Sequence, residues 1–167
     1  NMKVTLWNRA VDQPYKVVGT WMIDEWRKVG LAVDQEVVPS GPWYDGLRVK
    51  KDFDVSIDFN CQSVINPLVD AAKWKSADQT GNNYGGYEDR EIDAMWDKMN
   101  QSGDTAEQRR IFRAYEKRVL DEQAHWGLAY WWYKINVYRS YVKGWKIAPS
   151  HYLNQQLDTI WIDKTAM

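Results

Sequence analysis

The chain has 167 residues, of which 44% are hydrophobic and 27% charged, and its formal net charge is −1. This length and composition fit one globular domain and exclude a disordered polypeptide. Because 22 basic residues balance 23 acidic ones, we expect neither nucleic acid nor a polybasic membrane contact as a partner.

The first part of the chain alternates predicted strands with predicted helices. Helical spacing of apolar residues predicts a helix over residues 15–29, which Gly30 would close, and a short helix over residues 43–50. Alternating or apolar runs predict strands at residues 3–8, 31–38 and 53–59. Short links between these elements predict an α/β fold with a central, mostly parallel sheet flanked by helices.

Three helices and a polar loop are predicted next. The helices cover residues 68–74, 89–101 and 104–123, and a glycine-rich loop covers residues 76–86. Asp104 and Glu107 have the spacing of a capping box at the start of the last helix.

The last part of the chain is rich in aromatic residues. Residues 126–139 predict a long aromatic strand, or two strands with a bend. A turn over residues 142–145 and a strand-like piece over residues 157–162 follow. The whole chain has 11 Trp and 10 Tyr but only 3 Phe, a bias that suits a cleft or surface that binds something.

The sequence lacks the local signatures of an enzyme. Cys61, His125 and Asn136 or Asn154 have the order of a cysteine-protease triad, but no motif of a cysteine nucleophile surrounds Cys61. A hydrolase that uses Cys61 therefore stays open as the alternative function. The two histidines are far apart and no CxxC or HxxxH pattern occurs, so we predict no metal and no cofactor.

Three strings, taken in order, carry a resemblance to a known family. They are the opening LWN of strand 3–8, the FDV of residues 53–55 with its loop to Asn66-Pro67, and residues 83–145, which contain NYGGYEDREIDAMWDKM, DTAEQRRIFRAYEKRVLDEQ and WGLAYWWYKINVYRSYVKGW. The chain resembles, over nearly its whole length, the extracellular solute-binding proteins of family 5, the oligopeptide, dipeptide and nickel group of ABC importers.

The resemblance implies a single lobe of a type II periplasmic binding protein, the C-terminal lobe of a longer parent. Residues 1–146 would form the ligand-binding lobe, and residues 147–167 would form a tail that crosses back to the other lobe. Such a protein captures a peptide-like or other small solute in an interlobe cleft, delivers it to a membrane permease and performs no chemistry. A sensor or regulatory module on the same fold is a further alternative.

The same resemblance implies where the protein acts and what it contacts. Its location would be periplasmic or extracellular. Its partners would be the solute, the other lobe of the parent and an ABC permease. The isolated lobe would expose apolar surface that the other lobe normally covers, so we expect it to self-associate.

Eight residues are predicted to bind the ligand. In the family, Trp43 matches a pocket-lining tryptophan, and Arg48 lies near a basic residue of the peptide binders. Cys61 matches a cysteine of those binders, within a loop that touches the ligand. The predicted set is Trp43, Arg48, Asn60, Cys61, Gln62, Ser63, Tyr84 and Trp132.

This sequence departs from the peptide binders in the loop that touches the ligand. Ser63 stands where they place a carboxylate for the α-amine of the ligand, and Asn66 replaces the acid before Pro67. Asn60 replaces an aromatic residue. An ammonium group would lose its natural partner, so we expect a neutral or anionic small molecule, aromatic or sugar-like, in place of an ordinary peptide.

Overall fold

The computed structural model describes residues 3–60, 66–131, 133, 135–147 and 157–166. The chain divides into two compact units. Unit 1 consists of Asn1–Asn60 and Lys73–Asp93, and unit 2 of Cys61–Ala72 and Ala94–Met167. Within the described ranges, no helix combines the length and the apolar character that crossing a membrane requires.

Unit 1 contains a three-stranded parallel sheet, as the sequence predicts. Its strands are β1 (Lys3–Arg9), β2 (Ala32–Val38) and β3 (Val55–Ser56), in the order β2-β1-β3. Strand β1 pairs with β2 along its whole length and with β3 at two residues. The predicted α/β fold is therefore confirmed, with β1 in the centre of the sheet.

The helices of unit 1 also agree with their predictions. A short helical segment, Asp12–Lys16, leads into α1 (Val17–Lys28), and Gly30 closes the helix with a φ of +89°. Helix α2 (Ser40–Asp45) continues as a second helical segment, Gly46–Lys50.

Strand β3 is shorter than the seven residues predicted at 53–59. The Asp54 carboxylate accepts the backbone N–H of Thr5 at 2.8 Å, and the Ser56 hydroxyl donates to the carbonyl of Trp7 at 3.0 Å. These two side chains thus form hydrogen bonds to the backbone of β1 that backbone groups would form if β3 were longer. The apolar alternation correctly identified Val55 and Ile57 as residues that pack on the core, but it does not report backbone pairing.

Two apolar clusters form the core of unit 1. Leu6, Ile23 and Val33 join the sheet to α1. A second cluster contains Tyr15, Trp43 and Leu47 and lies beneath α2 and its continuation.

The close approach of α1 to the sheet requires glycine at position 19. The buried Asn8 side chain donates to the carbonyl of Tyr15 at 2.8 Å and to Gln35 Oε1 at 2.7 Å. A Cβ atom on Gly19 would overlap both the Gln35 Oε1 and Asn8 Nδ2 atoms. Because the two amides are hydrogen-bonded to each other, neither can move without losing that bond.

We expect Gly19→Ala to lower the free energy of unfolding by about 1–3 kcal/mol, the usual cost of overpacking. Urea unfolding followed by circular dichroism measures this change. Gly103→Ala is the matched control, since a Cβ there meets no atom within 4 Å. Equal effects of the two substitutions would show that the Asn8–Gln35 contact does not limit the packing of α1.

A set of buried polar side chains holds the predicted loop of unit 1. Asp93 is 4% exposed, and its carboxylate accepts from the Ser76 backbone at 2.8 Å, the Ser76 hydroxyl at 2.6 Å and Gln79 at 3.1 Å. The Arg90 guanidinium contacts the same carboxylate at 3.1 Å. The Asn83 side chain is also buried and donates to the carbonyl of Tyr87 at 3.0 Å. The loop thus has a defined course although it contains no helix or strand.

Unit 2 is largely helical in its described part. Tyr115 is fully buried, and its hydroxyl donates to the carbonyl of Ala71 at 2.8 Å. The elements are α3 (Pro67–Ala71), α4 (Arg90–Gln101, which enters the unit at Ala94), α5 (Thr105–Lys117), β4 (Val142–Lys143) and β5 (Trp161–Ile162), the last two forming an antiparallel pair.

The predicted capping box of α5 is half formed. Asp104 accepts the backbone N–H of Ala106 at 2.9 Å, as an N-cap residue does. Glu107 does not bond back to the cap; it accepts the hydroxyl of Ser102 at 3.0 Å. The start of the helix is therefore predicted correctly, while the glutamate stabilises the turn that precedes it.

The aromatic strand predicted at residues 126–139 is wrong for the part that the structure describes. Residues 126–131, 133 and 135–139 belong to no strand. Trp131, Tyr133, Ile135 and Val137 are 80–89% exposed. Alternating apolar side chains favour a strand only where a neighbouring strand pairs with the backbone, and the described residues form no such pair with this stretch.

Candidate functional site

Aromatic rings surround the last residue of the central strand. The Arg9 guanidinium, at the carboxyl end of β1, lies 5.5 Å from the centre of the Tyr15 ring, 5.7 Å from Trp43 and 5.2 Å from Tyr44. Arg9 Nε donates to the Ser40 hydroxyl at 2.8 Å. Helix α2 supplies both Trp43 and Tyr44, so the helix and the strand together position the cation.

Trp43 lies at the centre of these rings. Its ring is 5.6 Å from Tyr15 and 4.8 Å from Tyr44, in edge-to-face geometry both times. The residue is 0% exposed, and its indole N–H has no hydrogen-bond partner among the residues that the structure describes. Trp43 therefore belongs to the core, and its contact with a ligand stays a prediction.

Arg48 and Tyr84 extend the cluster toward solvent. The Arg48 guanidinium lies 5.0 Å from the centre of the Tyr44 ring. Its Nε and Nη2 atoms each lie 3.3 Å from the Tyr84 hydroxyl, and this contact raises the pKa of Arg48. Three predicted site residues are thus brought together, because Trp43 and Arg48 contact Tyr44 and Tyr84 contacts Arg48.

Asp58 places a carboxyl group near the same cluster. It follows β3, and the ring of its neighbour Phe59 lies 5.8 Å from Tyr15. Burial raises the pKa of Asp58, while the charges of Lys73 and Arg9 partly offset that shift. Burial also raises the pKa of the Tyr15 hydroxyl above its ordinary range, so this phenol stays neutral.

The remaining predicted residues contribute little to the described geometry. Asn60 is exposed. Cys61, Gln62, Ser63 and Trp132 lie outside the described residues. Their contact with a ligand stays a prediction that follows from the sequence alone.

Sequence reasoning missed Arg9 and Asp58 and did not select Tyr15 or Tyr44 for the site. A signal was present, because ligands of open α/β sheets collect beyond the carboxyl ends of the strands. Arg9 is the last residue of β1, and Asp58 lies two residues after the end of β3. Applying that rule to the first predicted strand selects Arg9, whereas Asp58 lies inside the predicted strand 53–59 and follows a strand only because β3 ends at Ser56.

An open cavity of about 700 Å³ lies elsewhere in unit 1 and contains none of the predicted site residues. Trp7, Phe53 and Gly46 are among its lining residues. Six exposed side chains of both signs also line it: Glu36, Asp45, Lys50, Lys51, Asp52 and Asp54. Such solvated, mixed charge offers no selective contact, so we place the candidate site at the aromatic cluster.

The aromatic cluster can bind a ligand by stacking and by charge. The partly exposed rings of Tyr44 and Tyr84 offer flat apolar faces, and the guanidinium groups offer hydrogen-bond donors. In the described ranges, no three His, Cys, Asp or Glu side chains lie close enough together to hold a metal ion.

Comparison with solved structures identifies the fold. The periplasmic binding protein DppA of Helicobacter pylori, in complex with a peptide, matches 97% of this chain with a TM-score of 0.71 and 14% identity. The oligopeptide-binding protein AppA of Bacillus subtilis matches 97% with a TM-score of 0.66 and 15% identity. The substrate-binding domain of an oligopeptide ABC transporter of Bacillus anthracis matches 75% with a TM-score of 0.67 and 17% identity.

The matches cover 31%, 32% and 24% of those three chains respectively, so this chain spans a quarter to a third of their length. No family model matches the chain, and no curated protein matches its sequence. The fold that the resemblance implies is confirmed: this chain has the fold of part of an ABC-transporter substrate-binding protein.

Proposed function

We propose that this chain is one lobe of the substrate-binding component of an ABC importer and binds a peptide-like or other small solute. The observation that carries the proposal is the cluster of rings and guanidinium groups at the carboxyl end of β1. Tyr15, Trp43, Tyr44 and Tyr84 contribute rings within 6 Å of Arg9 or Arg48. This edge of a parallel sheet is where such folds bind small molecules.

The solved structures support binding as the activity. The three solved structures compared with this chain above are named as binding proteins or as a substrate-binding domain. In this proposal residues 1–146 form the ligand-binding lobe and residues 147–167 cross to the other lobe. The ligand then lies in a cleft between the lobes, and the closed form engages a membrane permease. The protein acts in the periplasm or outside the cell.

A thermal-shift screen of the protein that carries this chain tests the proposal. The probes are short peptides, sugars and small aromatic acids, and product formation is followed in the same mixtures. A ligand that binds only the folded state raises the unfolding midpoint in a saturable way. We expect at least one class of probe to raise the unfolding midpoint without being consumed.

Cys61→Ser separates binding from the hydrolase alternative. If the protein is a binding component, the serine variant keeps both the thermal shift and the affinity of the wild type. If the wild type converts a probe and the Cys61→Ser variant does not, the proposal is overturned and catalysis is assigned to Cys61.

A further inference from the structure

Two positive charges lie on one tyrosine ring in unit 1. The guanidinium carbons of Arg9 and Arg48 lie 5.2 Å and 5.0 Å from the centre of the Tyr44 ring. The ring attracts each cation through its quadrupole but carries no negative charge of its own. Both guanidinium groups therefore contact the same ring, and that ring does not neutralise their charge.

Neither arginine forms an ion pair with a carboxylate in the part of the chain that the structure describes. Arg9 Nε donates to the Ser40 hydroxyl and Arg48 to the Tyr84 hydroxyl, both neutral groups.

Arg90 shows what a guanidinium paired by the protein itself looks like. It contacts three carboxylates, those of Asp78 at 2.9 Å and of Glu88 and Asp93 at 3.1 Å. Arg9 and Arg48 instead contact aromatic rings and hydroxyl groups. Neither is therefore paired with a carboxylate of the described residues, and both can bind an anionic group of a ligand.

Asp58 is the carboxyl group whose charge acts on both arginines, and one carboxylate offsets only part of the charge of two guanidinium groups. It forms no ion pair within 4.0 Å among the described residues. The cluster therefore carries excess positive charge beside flat apolar rings.

We propose that Arg9 and Arg48 bind a carboxylate group of the ligand, so that the solute is a small carboxylic acid. The inference rests on the proposed function and narrows it, because the sequence left neutral and anionic ligands open. A guanidinium matches a carboxylate with two parallel hydrogen bonds, and stacking on Tyr44 holds its plane before the ligand arrives. An ammonium group would meet repulsion from both arginines.

Matched probes that differ in one group test the charge of the ligand. Benzoate, benzamide and benzylamine, with N-acetyltyrosine and its amide, are titrated into the protein that carries this chain and followed calorimetrically. We expect the carboxylates to bind at least 10-fold more tightly than their amides, and the amine not to bind. Tighter binding of amide or amine would overturn the inference and leave the proposed function standing. Binding by no probe of this set or of the broader screen would count against both.

Substitutions of the two arginines locate the carboxylate. Arg9→Gln and Arg48→Gln are each expected to weaken benzoate binding about 10- to 100-fold, the range of a charge-assisted hydrogen bond, while benzamide binding stays the same. Arg27→Gln, on α1, removes an equal charge from an exposed side chain and is the control. Unchanged benzoate affinity in both folded variants would overturn the assignment. Arg48 is exposed, so its variant keeps the test decisive if Arg9→Gln fails to fold.

Asp58→Asn gives a test of opposite sign. Removing this carboxyl group takes a negative charge from the neighbourhood of Arg9, so we expect benzoate to bind several-fold more tightly. Weaker benzoate binding accompanied by stronger benzylamine binding would contradict a positive site.

Discussion

Replacing Asp93 with alanine is expected to lower the free energy of unfolding by about 3–5 kcal/mol, because two buried donors lose their acceptor at a cost of about 1–3 kcal/mol each. The carboxylate accepts two hydrogen bonds from Ser76, which is 0% exposed, and further contacts from Gln79 and Arg90. Alanine would leave the backbone N–H and the hydroxyl of Ser76 buried without this acceptor, whereas Gln79 and Arg90 are exposed to solvent. Urea unfolding of the variant and the wild type measures the difference.

Asp52→Ala is the matched control, because Asp52 is exposed. We expect that substitution to change the free energy of unfolding by less than about 0.5 kcal/mol. Asp93→Asn keeps an acceptor oxygen and loses the charge, so its effect should fall between the two. An Asp93→Ala variant as stable as Asp52→Ala would show that the loop does not depend on this carboxylate.

Trp43→Ala is expected to destabilise the protein by about 3–5 kcal/mol, the usual effect of truncating a buried tryptophan. Trp43 is 0% exposed and packs against Tyr15 and Leu47. A tryptophan that only lined a ligand pocket would lower affinity on truncation with little loss of stability. Thermal or urea unfolding without ligand therefore separates the core role from the pocket role.

Trp21→Ala is the control for Trp43→Ala. Trp21 lies on α1 and is 52% exposed, so we expect its truncation to cost much less. Trp43→Phe retains a ring and removes an indole N–H that has no described partner, so its cost should come from the smaller ring alone and be lower than that of alanine. A Trp43→Ala variant as stable as the Trp21→Ala control would overturn the assignment of Trp43 to the core.

The elements that the sequence predicts correctly are those with a one-sided apolar pattern and a terminal signal. Helix α1 has both, with Gly30 at its end, and α5 begins at Asp104 as predicted. Periodicity reports which side chains face inward, and the helix completes its own backbone hydrogen bonds. Local sequence therefore contains nearly all the information that such a helix needs.

Strands depend on partners that local sequence does not reveal. Residues 53–59 alternate strictly, yet only Val55 and Ser56 pair with β1. The stretch at 126–139 has the composition of a strand, but its described residues are unpaired with any other strand. Pairing depends on a second segment that is distant in sequence. An alternating pattern therefore predicts which side chains face inward, but not whether the backbone pairs with another strand.

The site was predictable in part. The resemblance selects Trp43 and Arg48, which contact Tyr44, and Tyr84, also in the predicted set, contacts Arg48. Arg9 was missed because a charged residue after a strand usually faces solvent. Only the fold shows that rings from α2 and from Tyr15 enclose its guanidinium.

The discontinuous course of unit 1 has a consequence for the order of events during translation. All three strands of its sheet precede residue 61, but Arg48 and Lys51 bond to Tyr84 and Asn83, which are synthesised later. At about 5–20 residues per second, the ribosome needs a few seconds to supply that second stretch. During those seconds all three strands have been synthesised but the loop that Asp93 holds has not, so Arg48 and Lys51 lack the partners that they bond in the folded unit.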